Sequence, residues 1–424
     1  MSEKVALKRE LGLFEITLSG VGIILGAGIY ALIGKAAGLA GNSVWISFAI
    51  SAFIAIFTGL SYAELSSMFP KASAEYEYTS NAFGKRLAFI IGWLIILSGI
   101  IGASTVALGF GGYFKALFNI PIITSALVLI IALSFLLFWG IKESAWFAVV
   151  ATLIETSGLL IIIFIGVPFF GKVDYFEMPM GLAGVFQASA LVFFAYTGFE
   201  SIVKLSEETK APEKTIPKGL ILAILISIVL YILVAISAVS VIGWEKISES
   251  DAPFADIAFS VFGSDAFVLL TVIALFSTAN TVLLMMLGSS RIIYGMADSL
   301  TLPGILAKVH FSRRTPWLAI IMTSVLSLVF IFAGDIAFVA NIANFTLFVT
   351  FFVINAALIV LRFKEPHLER PFIVPFTIGK FPVLAFLGML FSIFMLFQLE
   401  AKVILVGAGI VVVGGLLSFV KWKK

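Results

Sequence analysis

Apolar residues run along this chain in long blocks from Phe14 to Val420, separated by short polar stretches. A helix needs about 20 consecutive apolar residues to cross a bilayer. Blocks of that order lie near 14–39, 43–69, 86–113, 121–140, 145–170, 183–205, 219–243, 265–297, 316–333, 337–361, 381–398 and 402–420. The pattern predicts an all-α membrane protein of twelve transmembrane helices, with no room for a large soluble domain. Between the second and third blocks, Met68–Lys85 contains Pro70 and the run "KASAEYEYTSNAFGK". That stretch is too polar to cross a bilayer and suits a helix lying in the cytoplasmic interface. The connection from Gly243 to Asp265 scatters Glu245, Glu249, Asp251, Asp256 and Asp265 among apolar residues. It reads as solvated loop charge or as a short amphipathic cap.

Composition narrows the class. Hydrophobic residues fill 61% of the 424 positions and charged residues 12%, which excludes an ordinary soluble fold. The charged Met1–Leu11 precedes an apolar run much longer than a signal-peptide core and without a cleavage-like end, so the first block is expected to be retained. There is no cysteine, and hence no disulfide, thiolate metal site or covalently attached subunit. Both histidines, His310 and His367, fall in polar connections, away from any intramembrane metal site or relay. With no nucleophile-and-base pair, no paired intramembrane carboxylates and no phosphate-cradling loop, the chain is not expected to be an enzyme, to use a cofactor or to bind nucleic acid.

A cytoplasmic N-terminus leaves only Lys35, Lys115, Lys172, Lys246 and Lys402 of the 27 basic residues outside. The positive-inside rule then puts both termini in the cytoplasm of a multi-pass protein of the cytoplasmic membrane.

Two blocks are interrupted. The first reads "GVGIILGAGIYALIG", with Gly20, Gly22, Gly26, Gly28 and Gly34 in one apolar stretch. Small residues at such spacing permit close helix contact. They also permit unwinding at Gly26-Ala27-Gly28, which would free N–H groups on one side of the break and carbonyls on the other. The sixth block, "FFAYTGFESIVKLSEETKAPEKTIPKG", places Gly198, Glu200 and Lys204 where an apolar helix began. Spans one and six each open a five-span unit, and matched breaks in two such units mark a midplane binding site in transporters built from inverted repeats. A solute channel is the competing class, because polar-lined helices can also form a pore.

These segments resemble the amino acid–polyamine–organocation transporters, in particular prokaryotic permeases related to cationic amino acid transporters. "GVGIILGAGIY" is similar to the family's glycine-rich first span, and the sixth block with its following loop to its sixth. "YAELSSMFP", "YEYTSNAFG", "GIKESAWF", "SSRIIYGMADSLTLP" and "RPFIVPF" add support, while Ser73-Ala74 stands where family members often carry paired glycines after the proline. The resemblance implies a LeuT-type fold of two inverted five-span repeats, 14–171 and 183–362. Two extra helices over 381–420 and cytoplasmic termini, 1–13 and 421–424, complete it. It implies that the N–H groups of Ala27 and Gly28 meet an amino acid carboxylate. The carbonyls of Ile24, Leu25, Phe194, Ala195 and Thr197 would meet the ammonium, with Gly26, Tyr196 and Gly198 shaping the breaks.

The side-chain pocket is expected near Ile101–Thr105, Phe199 and Asn280, small and mostly apolar, which favours neutral amino acids from alanine-sized to branched. A cationic substrate or an exchanger is the alternative. Phe194 and Phe199 are candidate gates.

Glu155 lies about ten residues into span five, in "ATLIETSGLLIIIF", and an ionisable group at that depth marks function by default. Related proton-coupled permeases carry a lysine at the similar position, so the sign here is reversed. The expectation is a coupling residue that carries a proton, with sodium ligation second and a permanently protonated structural carboxyl as the bland alternative. Ser277, Thr278, Asn280 and Thr281 of span eight are its candidate neighbours, although helix-to-helix bonding explains such residues equally well. Asn341 and Asn344 face the same choice. Glu64 and Glu200 lie near cytoplasmic span ends and the charges from Glu207 to Lys218 crowd the loop after span six; an ion-pair gate on that side competes with loop solvation, which suits most of them better. The partners expected are an amino acid and membrane lipid, with the chain a monomer or a non-covalent oligomer.

Overall fold

The computed structural model describes residues 9–71, 74–299 and 301–420. Ser73, the ends Met1–Lys8 and Lys421–Lys424, and the side chains of Lys142 and Glu207 lie outside the described set.

The regular structure of the described chain is helical, apart from a small antiparallel hairpin, β1 (Thr377–Ile378) with β2 (Phe381–Pro382). The helices are α1 (Leu13–Ile24), α2 (Gly28–Ala40), α3 (Val44–Met68), α4 (Ala74–Phe83), α5 (Lys85–Phe118), α6 (Ile122–Trp139), α7 (Ile141–Gly166) and α8 (Gly181–Tyr196). They continue as α9 (Phe199–Ile202), α10 (Pro212–Glu249), α11 (Pro253–Phe262), α12 (Ser264–Asp298), α13 (Trp317–Ile331), α14 (Ile336–Lys364), α15 (Val383–Leu396) and α16 (Ala401–Leu417). Among the described residues, eight helical stretches are long and apolar enough to cross a membrane. They become nine if α15 and α16, bent by 120° at their junction, are taken as one.

Local chemistry sets the ends. The Glu15 carboxylate accepts the Gly12 N–H at 2.9 Å and caps α1. Asn119 takes a left-handed conformation, φ 55°, to stop α5 just before Pro121 starts α6. Pro212 occupies the first turn of α10, where no N–H is needed. The Asp335 carboxylate accepts the Phe338 N–H at 2.8 Å to open α14.

The polar stretch after Pro70 forms α4, and the acid-bearing connection forms α11, which buries Phe254 and Ile257 while exposing Phe259 and Phe262. The amphipathic cap therefore exists as a helix. Backbone bonds tie the chain entering α1 to the turn after α9: Leu11 N–H donates to Glu208 O at 3.1 Å, and Lys210 N–H to Leu11 O at 2.9 Å.

Packing is densest between α5 and α12 and between α3 and α10, while α2 runs against α8. The broken pairs α1/α2 and α8/α9 thus sit within a bundle of longer helices.

Candidate functional site

The two interruptions cross each other. A Cβ on Gly28, the first residue of α2, would lie 2.6 Å from Ala195 Cα, so the backbones of α2 and α8 touch there and only glycine fits. Gly198, between α8 and α9, has φ 113°, and a Cβ on it would come within 2.9 Å of Ile23 O. The close-packing and unwinding readings of these glycines are therefore complementary: each break has the space to unwind because its glycine admits the other.

Unwinding exposes the ends of four half-helices, and side chains have taken up part of that capacity. The Tyr231 hydroxyl of α10 lies 2.6 Å from Ile24 O and 2.9 Å from Ala195 O, bridging the carbonyl ends of α1 and α8. Ala27 N–H donates to Thr281 Oγ1 at 2.8 Å, so one of the two donors assigned to a carboxylate is already engaged. Phe194 O accepts from Thr197 Oγ1 at 2.8 Å and from Thr197 N–H at 3.3 Å. Gly198 N–H donates to Glu200 Oε2 at 2.9 Å. Gly28 N–H, at the start of α2, has no carbonyl one turn below it within that helix, as for any first-turn residue.

A cavity of about 130 Å³ opens from the crossing. Ile24, Gly26, Gly28, Phe194, Ala195, Thr197, Gly198, Asn280 and Thr281 line it, whereas Leu25, Ala27 and Tyr196 are buried off its wall. Tyr196 points its hydroxyl to Phe48 O at 3.1 Å.

Two expectations are corrected. Phe199 packs in an aromatic cluster, 5.2 Å from Phe351 and 5.9 Å from Tyr62, and does not reach the cavity. From α5 the wall is formed by Ile95, Ser98 and Gly99, one or two turns before the predicted Ile101–Thr105. The reason is packing: Ser104 Oγ donates to Ser327 O of α13 at 2.8 Å, which turns that part of α5 toward a neighbouring helix. A Cβ on Gly102 would meet Met285 Sδ at 2.9 Å and Phe194 Cε2 at 3.4 Å, so Met285 fills the space a larger residue on α5 would take.

Glu155 is completely buried beside this wall, with no charged partner among the described residues. The neutral Ser277 and Asn280 side chains, buried as well, lie against its carboxyl. Asn280 Nδ2 donates to Thr152 Oγ1 at 3.1 Å, and Tyr30 donates to the Glu155 backbone oxygen at 2.8 Å. Thr278 instead bonds its own helix, to Ala274 O at 2.7 Å. Asn344 bridges to Ala190 O at 2.7 Å, a helix-to-helix bond, while Asn341 Oδ1 stays unpartnered. Among the described residues no cluster of three or more His, Cys, Asp or Glu side chains suits a metal ion.

The loop-solvation expectation fails for Glu64 and Glu200 and holds further along. Glu64 is fully buried and accepts two bonds from Arg362, at 2.7 and 2.5 Å, plus the Val374 N–H at 2.8 Å. Glu200 is buried against Gly198, whereas Glu208, Lys210, Lys214 and Lys218 are exposed. Sequence reading passed over Tyr231, whose signal was a lone hydroxyl in the apolar run "SIVLYILVA". It also passed over Arg362, which looked like a loop charge.

Comparison with known proteins agrees with this architecture. The family model described as "Amino acid permease" matches residues 11–413. The branched-chain amino acid permease BcaP of Bacillus subtilis is 33% identical, over 94% of this chain and 90% of its own. The methylthioribose transporter of the same organism is 32% identical, over 89% and 86%. The vacuolar cationic amino acid transporter 4 of Arabidopsis thaliana is 29% identical, over 85% of this chain and 64% of its own.

Proposed function

The chain belongs to the amino acid permease family, and we propose that it carries a neutral amino acid of alanine to branched-chain size across the cytoplasmic membrane by alternating access. One observation carries this reading: two broken helices cross at glycines and open their backbone ends onto a single cavity. Membership of a permease family makes the protein a multi-pass membrane transporter and not an enzyme.

In this reading the chain crosses the membrane twelve times. The stretch Gly28–Met68 divides at the 3₁₀ turn Gly41–Ser43, with α1 and α2 together forming one broken span. The short α13 is a span, and the sharp bend between α15 and α16 makes them two. The packing supports inverted repeats over 14–171 and 183–362. Contacts of α1 with α10 are matched by those of α8 with α3, and contacts of α14 with α5 by those of α7 with α12. Both termini face the cytoplasm, so the cavity, which runs toward Lys204 and Ile292, opens inward.

The head group binds at the crossing. Gly28 N–H takes the carboxylate, joined by Ala27 N–H once Thr281 releases it. The carbonyls of Ile24 and Ala195 retain lone pairs beyond the Tyr231 bond for the ammonium. Ile95, Leu284, Met285 and Leu347 give an uncharged wall for the side chain, which favours a neutral substrate, and the similarity to BcaP points the same way.

Glu155, with Ser277 and Asn280 beside it, is the coupling centre, and a proton is favoured over sodium because a carboxylic acid can occupy a site that offers no partner charge. A cationic substrate is the second reading, favoured by that unpaired carboxyl and by the cationic transporters among the relatives. A channel would need a continuous pore, and the described cavity ends at the crossing.

The test is a thermal-shift screen of the purified protein against all common amino acids at two pH values, followed by proteoliposome uptake. Saturable uptake of neutral amino acids, with exchange of labelled for unlabelled substrate, is expected. Stabilisation by lysine and arginine alone would move the assignment to the second reading, and conductance without saturation would end the carrier reading.

A further inference from the structure

Between the crossing and its mouth the cavity passes residues the head-group site does not use. Its wall is uncharged except at two positions, Glu200 and Lys204, which have opposite signs and lie four residues apart on α9 and the 3₁₀ turn that continues it. Both side chains line this one cavity. The Glu200 carboxylate is buried and anchored by one oxygen to Gly198 N–H. The Lys204 ammonium is held loosely: among the described residues its nearest carboxylate oxygen, Glu75 Oε1 of α4, is 3.7 Å away, beyond ordinary hydrogen-bond length, and a quarter of its side chain remains exposed. Two of the nearby hydroxyl donors are committed elsewhere, Ser98 to Ile95 O at 2.9 Å and Ser289 to Ile96 O at 3.2 Å.

We infer that Lys204 and Glu200 form a second, transient site for the zwitterionic head of an α-amino acid, between the crossing and the mouth. The inference rests on the reading of the cavity as an amino acid path. A zwitterion leaving the backbone ends of the broken helices would otherwise enter an apolar passage with both charges unpaired, at a high desolvation cost. Lys204 takes the carboxylate, leaving Glu75 to do so, and Glu200 takes the ammonium. The site thus lowers the barrier between the central site and solvent on that side only. Swinging Lys204 from Glu75 to the substrate also loosens α4 from α9, so occupancy of the site and opening of the mouth go together.

The experiment measures KM from each membrane face separately, in proteoliposomes of sorted orientation, for wild type, Lys204→Gln, Lys204→Arg and Glu75→Gln. Loss of one charge-assisted hydrogen bond is worth roughly a tenfold change. Lys204→Gln is expected to raise KM about tenfold on the face onto which the cavity opens and leave the other within twofold, with Lys204→Arg restoring most of the loss. Glu75→Gln, which frees the ammonium, is expected to leave that KM unchanged or lower it. The inference is overturned if Lys204→Gln moves neither KM, moves both equally, or is copied by Glu75→Gln, as a purely structural ion pair would require. Should Lys204→Gln fail to fold, Lys204→Arg and Glu75→Gln decide: a tenfold rise with Glu75→Gln overturns the site. Wild type that neither binds nor transports any amino acid would instead sink the proposed function.

Discussion

Two carboxyl groups in this protein are equally hidden from solvent and opposite in every other respect. Glu64 on α3 accepts two bonds from Arg362 and one from the Val374 N–H, with Arg370 Nε a further 3.4 Å from its Oε1. Glu155 on α7 has no charged partner among the described residues: only the neutral Ser277 and Asn280 side chains lie against its carboxyl. Burying a charge is expensive unless it is paired. The first site meets that requirement with a bidentate guanidinium, and so fixes α3 to α14 and to the loop after it. The second leaves the requirement unmet, which is tolerable only for a group that can bind a proton or a cation. Burial alone therefore separates nothing; the two sites differ in whether a charge meets the carboxyl.

The comparison is broken most directly by removing the charge partner. Arg362→Met leaves the Glu64 carboxylate buried with the Val374 N–H and the longer Arg370 contact as its remaining partners and should cost about 3–5 kcal/mol, read as a large drop in melting temperature in detergent. The double variant Glu64→Gln/Arg362→Met should recover much of that loss, and a single variant as stable as wild type would refute the pairing argument. Next in size is Glu155→Gln. Its stability should change by less than about 1 kcal/mol, since no charged partner is lost and the amide can keep the neutral contacts to Ser277 and Asn280. Uptake driven by a pH gradient should fall at least roughly tenfold while exchange of labelled for unlabelled substrate persists. Unchanged gradient-driven uptake would remove Glu155 from coupling. The smallest contrast uses two buried serines. Ser61 donates to Asn355 Oδ1 at 2.6 Å, so Ser61→Ala should cost about 1 kcal/mol. The Ser277 hydroxyl has only the Glu155 carboxyl beside it, outside good hydrogen-bond geometry, so Ser277→Ala should cost less than Ser61→Ala. Equal losses in the two would mean that an unrecognised partner holds Ser277.

Much of the architecture was legible along the chain. Each predicted apolar block coincides with a helix or a broken pair, although α5 runs five residues past its block and α10 starts seven residues before its own. The breaks at Gly26-Ala27-Gly28 and at Gly198 were readable because glycine in an apolar run is a local signal. Site detail was less so. Leu25, Ala27 and Tyr196 lie off the cavity wall, and α5 presents Ile95, Ser98 and Gly99 to it, because the rotation of a helix about its axis depends on neighbours that an all-round apolar sequence does not mark.

By itself the sequence determined where helices form, where two of them break and that Glu155 is an ionisable residue deep in a span, all consequences of neighbours a few positions away. Only the tertiary structure decided which carboxylate is paired, and how the breaks face each other. Arg362 reaches Glu64 across 298 positions, and Tyr231 joins Ile24 to Ala195 across 207 and 36. Hydrogen bonds act over about 3 Å whatever the separation along the chain, so satisfaction of a buried polar group is a property of the packed bundle and not of any segment in it.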